Sequence, residues 1–77
     1  MQTRLSDIRV GAKVKILHFE DDEIILKLME MGCLPGEIVS VEKIAPLGDP
    51  ISINVAGYHL SLRLDEAAKI YVEPLIS

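Results

Sequence analysis

Two punctuated runs constrain this chain more than anything else in it: Met31-Gly32-Cys33-Leu34-Pro35-Gly36 and, ten residues on, Pro46-Leu47-Gly48-Asp49-Pro50-Ile51. They set where a helix stops, where the next strand starts and where that strand turns back. Ile24 to Met31 is apolar with helical spacing, and Gly32 follows where helices commonly end in a residue of positive φ, a backbone that glycine adopts without a Cβ penalty. Pro35 bars the helix from resuming. Pro35-Gly36 then reads as a tight turn, and Glu37 to Ile44 continues with β-branched residues as a strand leaving that turn.

Upstream, Ser6 and Asp7 beside Leu5 and Ile8 suit a single capped helical turn rather than a strand, placed to plug one end of the fold. Lys13 to Phe19 is the first strand, with Val14 and Ile16 on one face and Lys13 and Lys15 on the other. The adjacent pair Ile16-Leu17 breaks the alternation. A bulge there turns Leu17 and Phe19 inward and His18 outward, whereas strict alternation would leave His18 with the core. The acidic run Glu20-Asp21-Asp22-Glu23 stands where carboxylates favour the positive end of a helix dipole, with Asp21 or Asp22 as N-cap. Consecutive carboxylates cannot all face one ion, so capping and solvation account for the run better than metal binding. The helix Asp22 to Met31 carries Ile24, Ile25, Leu28, Met29 and Met31 as one apolar stripe, with Glu23 and Lys27 spaced for an ion pair on the other side. Leu26 falls at the stripe's border, as core edge or exposed contact.

After the rigid loop Ala45 to Pro50, Ile51, Ile53 and Val55 alternate with polar residues, as do Tyr58, Leu60 and Leu62. Joined by Ala56-Gly57, they form a hairpin with those six residues on its covered face. A capped helical turn near Asp65, a closing strand around Tyr71 and a tail from about Glu73 complete a single domain over residues 1–77. The pattern is mainly β: a small five-stranded SH3-like barrel, its sheet closed to remove most unpaired edges, with one inserted helix.

The order of an apolar helix, Met-Gly-x-x-Pro-Gly, a strand, Pro-x-Gly-Asp-Pro-Ile, two short strands with Leu60-x-Leu62-Arg63, then Glu66-Ala67 and Ile70-x-Val72 resembles the FeoA family of ferrous-iron-transport accessory proteins. The likeness runs from about Leu5 to Val72. Cys33 departs from it, standing where such proteins usually carry an aliphatic residue. The resemblance implies a non-enzymatic cytoplasmic protein, at the inner face of the membrane, that binds the cytosolic part of a ferrous iron permease with a nucleotide-hydrolysing domain. It also implies an alternative, because FeoA-like domains are found appended to iron-dependent repressors: a metal-responsive module with transition-metal binding that partners a repressor.

The residues themselves narrow the choices. At 77 residues and 49% hydrophobic content the chain is near the lower limit for a self-sufficient core. Its lone cysteine can form no internal disulfide, which makes the cytoplasm the default compartment. No run approaches a membrane span, and Met1 to Val10 lacks the order of a signal peptide. A net charge of −4, with Lys13, Lys15, Lys43 and Arg63 dispersed, argues against nucleic acid. No nucleophile with a base, carboxylate pair or metal set marks an enzyme. His18, His59 and Cys33 stand at no metal-ligand spacing, and Cys33, with no adjoining base, reads as a small buried hydrophobe. We expect no cofactor and no metal ligands. One Phe, two Tyr and no Trp are too few for a proline-rich-peptide groove, and Tyr58 is expected in the core. A mean hydropathy of +0.31 leaves apolar side chains over for a partner or a second copy. The expected contact joins Leu26 and the outer helix face to Leu47, with Arg63 either contacting the partner or paired to Asp49 or Asp65.

Overall fold

The computed structural model describes residues 3–75. In chain order these form β1 (Thr3–Arg4), a 3-10 turn (Leu5–Asp7), β2 (Lys13–Phe19), α1 (Asp22–Glu30), β3 (Ile38–Ile44), β4 (Ile51–Val55), β5 (Tyr58–Leu62), α2 (Leu64–Ala67) and β6 (Ile70–Pro74). The strands make one antiparallel sheet in the order β1-β6-β2-β3-β4-β5. All five strands marked by the sequence are present. The sixth is the two-residue β1, which precedes the helical turn at Ser6 and pairs Thr3 with Val72. The tail expected from Glu73 begins later: Glu73 and Pro74 still pair with Lys15 and Val14, and its last residues, Ile76 and Ser77, lie outside the described part.

Curling brings one face of every long strand onto a common interior. Leu5, Val14, Ile16, Leu28, Val39, Val41, Ile51, Ile53, Val55, Leu62, Ile70 and Val72 are almost wholly buried, and no polar side chain is buried among the described residues. Leu5 is fully buried, and the 3-10 turn that carries it packs against α2 and β6. The hydrogen-bonded order is nevertheless open, with β1 at one edge and β5 at the other.

Helix α1 is held at both ends by its own sequence. The Asp21 carboxylate, on extended backbone, accepts the Ile24 amide at 3.2 Å, which settles the N-cap. At the other end the Gly32 amide donates to the Met29 carbonyl and the Cys33 amide to the Leu28 carbonyl, with Gly32 at φ +89°. These two bonds define the Schellman motif, and buried Leu28 and Cys33 supply its apolar contact. Only Ile24 and Leu28 are fully buried; Ile25 and Met31 are half-buried, while Met29 is exposed and Leu26 is 67% exposed. The helix lies on the barrel by a narrower strip than its apolar stripe, and Leu26 belongs to the outside.

Three placements differ from the sequence reading. A register shift does fall between Ile16 and His18, but the extra residue it leaves unpaired is Leu17, which turns outward; only Phe19 packs partly against the core. Tyr58 pairs with Val55 on the covered side of the hairpin yet is 70% exposed. Alternation assigns a residue to a side, and at the tip of an edge strand that side runs out beyond the core. Lys27 meets Glu66 of α2 rather than Glu23, because a carboxylate fixed by a neighbouring element competes with one on the same flexible helix surface.

Candidate docking surface

The Pro46–Pro50 loop, α1 and α2 meet at a shallow groove lined by Lys27, Asp49, Pro50, Ser61, Leu62, Arg63 and Glu66. Its carboxylates are committed. Asp49 Oδ1 accepts the Leu64 amide at 2.9 Å, pinning the loop to the start of α2, and Glu66 Oε1 accepts the Arg63 amide at 2.9 Å. Glu66 Oε2 takes the Lys27 ammonium, and that contact, before the Arg63 amide, holds the Glu66 carboxyl below its ordinary value. The Arg63 guanidinium forms no ion pair with Asp49 or Asp65 among the described residues; Asp49 is occupied by a backbone amide instead.

Close in the chain to residues of this groove stand two strongly exposed apolar side chains. Leu47 is 95% exposed, two residues before Asp49, and Leu26 precedes Lys27 on α1. The structure thus places Arg63, and the elements that carry Leu26 and Leu47, around one surface.

The possible ligand residues do not converge. His18 stacks on Tyr71 with ring centroids 4.7 Å apart. His59 Nδ1 lies 2.6 Å from Glu42 Oε1. Cys33 is fully buried, and desolvation, with Glu37 adding to it, pushes its thiol pKa up and away from reactivity. Among the described residues no three His, Cys, Asp or Glu side chains gather around one point. The acidic run is divided as well: Asp21 caps α1 and binds Lys69 at 3.3 Å, while Glu20 accepts the Tyr71 hydroxyl at 3.0 Å and faces Arg4 at 3.5 Å.

Arg4 completes that cluster by donating to the Ala68 carbonyl at 2.8 Å while its guanidinium lies 5.1 Å from the centre of the Tyr71 ring. Sequence reasoning missed this knot. Its members come from β1, β6 and the connections that follow β2 and α2, and the only signal was an acidic run with an aromatic and a cation far away in the chain.

Together, fold and surface define a small SH3-like β-barrel whose available chemistry lies on its outside. The FeoA domain family model matches residues 3–74, and the chain belongs to that family. It is 37% identical over 75 residues to an Fe(2+) transport protein A/Fe(2+) transporter FeoB fusion protein of Porphyromonas gingivalis, covering 96% of this chain and 9% of that protein. A FeoA-like protein of Clostridium acetobutylicum superposes with a TM-score of 0.90 at 36% identity, covering 99% of this chain and 90% of that one. FeoA of Stenotrophomonas maltophilia, a prokaryotic SH3 domain protein solved with zinc, superposes at 0.81 with 26% identity, over 92% of this chain and 89% of that one. No described helix is long and apolar enough to cross a membrane.

Proposed function

We propose that this chain is a non-enzymatic accessory protein of a ferrous iron uptake system, acting in the cytoplasm by docking on the cytosolic part of the iron permease. The observation that carries the reading is the fusion relative, in which a domain like this one is joined covalently to an Fe(2+) transporter. Covalent linkage raises effective concentration, which benefits a pair that associates weakly and productively. Leu26, Leu47 and Arg63 are the contact: two exposed apolar anchors and a guanidinium with no ion-pair partner among the described residues, set beside a groove whose own carboxylates are occupied. Replacing Leu26 by Asp removes the anchor without touching the core. The variant is expected to lose association with the permease's soluble domain in a pull-down while its melting temperature stays nearly unchanged; full association would remove this surface from the account.

A second reading is a metal-responsive module with transition-metal binding that partners a repressor, and the zinc-bound Stenotrophomonas structure supports its metal-binding part alone. The dispersal of His18, Cys33 and His59 weighs against it. Anaerobic titration with ferrous iron separates the two, since saturable NMR shifts at those residues belong to the second reading alone.

A further inference from the structure

The edge strand β5, which reaches the groove above at Ser61 and Leu62, carries a second feature in its backbone. A two-residue loop, Ala56-Gly57, makes Val55 and Tyr58 the closing pair of the hairpin, which exchanges both backbone hydrogen bonds. Bonded and non-bonded pairs alternate along an antiparallel ladder, so Ile53 with Leu60 and Ile51 with Leu62 are bonded, while Asn54 with His59 and Ser52 with Ser61 are not. The N–H and C=O groups of His59 and Ser61 therefore point away from β4. β5 has no neighbour on that side, and no backbone bond from elsewhere among the described residues reaches it.

Natural edges of this length are usually blunted by lysine, proline or a covering element. Tyr58-His59-Leu60-Ser61-Leu62 has neither residue. The opposite edge is handled differently: β1 is two residues long, and Arg4 is tied to Ala68. Beside β5 runs a groove lined by Glu30, Met31 and Gly32 at the end of α1 and by Ala56, Tyr58, His59 and Leu60. Its apolar wall is Met31, Tyr58 and Leu60, and Glu30 is the carboxylate that lines it.

We propose that the β5 edge accepts an extended segment of a partner protein as a seventh strand, one with alternating apolar residues and Lys or Arg side chains directed at Glu30. Main-chain bonds to His59 and Ser61 supply affinity and Glu30 supplies selectivity. A second copy is the poorer occupant. Self-pairing about Leu60 brings two copies of Glu30 together, and the groove's lining holds no Lys or Arg to offset them. The proposal does not rest on the permease reading.

The test is titration of the isotope-labelled full chain with a synthetic peptide of repeating Lys-Val-Thr-Val, followed by backbone NMR. Saturable shifts centred on His59, Leu60 and Ser61 are expected, with slowed amide exchange at His59 and Ser61. The same peptide N-methylated at alternate residues is expected to bind at least about tenfold more weakly, because main-chain bonds carry the affinity. Exchanging its lysines for glutamates is expected to weaken binding as well. Ser61→Pro deletes an outward N–H that β4 does not use, and the N-methylated peptide reads the same loss without altering the protein. Absence of saturable shifts, equal binding of the N-methylated peptide, or a dimer formed through this edge without peptide would overturn the proposal.

Discussion

The two flanks of this barrel solve opposite problems. On the flank of β1, β2 and β6, polar side chains satisfy one another: Arg4 reaches Ala68, Glu20 and the Tyr71 ring, Tyr71 reaches Glu20 and stacks on His18, and Lys69 reaches Asp21. On the flank of α1, the Pro46–Pro50 loop and β5, large apolar side chains stand in solvent and a strand edge lacks a neighbour. Both flanks rest on the same buried interior. A domain this small cannot leave surface unfinished everywhere and stay folded. One flank carries the ties, and the other is left open for contact.

The largest effect should come from the shared interior, which belongs to neither flank. Leu28→Ala empties a fully buried site where α1 meets the core, and a cost of about 3 kcal/mol, or a fall in Tm of roughly 12–24 °C, is expected in thermal unfolding. A much smaller loss would mean that α1 is an appendage rather than part of the core, and the comparison would need redrawing. On the tied flank, Arg4→Ala removes a bond to a carbonyl, an ion pair and a ring contact at once, at an expected cost of about 1 kcal/mol by denaturant titration.

Smaller changes sharpen the open flank. Ala56 opens the hairpin turn at φ +52°, a conformation that asparagine tolerates better than alanine. Ala56→Asn is expected to raise stability by about 0.5 kcal/mol, from better fit to a primed turn. Glu66 gives a pH signature. Its folded pKa lies below the ordinary value of 4.5, so its contribution is present above that value and is lost as pH falls through the lowered one. The stability gap between the wild type and Glu66→Gln should therefore close on acidification below about pH 4.5.

Residues whose roles are set by their neighbours in the chain were legible from the sequence. Gly32 ends α1 and Asp21 begins it because both act within one helical turn, and the strands follow from alternation around Val14, Val39 and Ile53. Cys33 is buried as its surroundings suggested. Legibility failed where a second element decides the outcome. Lys27 had Glu23 within reach on its own helix, but α2 delivered Glu66. Tyr58 obeyed the alternation, but no layer covered it. Leu17 lay at a bulge whose position could be read but whose direction could not. At the proposed contact surface, the sequence could name Leu26 and Leu47 as surplus apolar residues. It could not show that Asp49 would bind the Leu64 amide and leave Arg63 without it. The open edge at β5 was hidden for a related reason, since the strand pattern alone does not say whether a sheet closes.

The difference between the flanks is tested most directly by chemical-shift mapping of the labelled chain on adding the cytosolic part of the iron permease. Shifts gathered on the outer face of α1, the Pro46–Pro50 loop and Arg63 are expected, with Arg4, His18 and Tyr71 undisturbed. Shifts centred on Arg4, His18 and Tyr71, with Leu26 and Leu47 silent, would contradict the account.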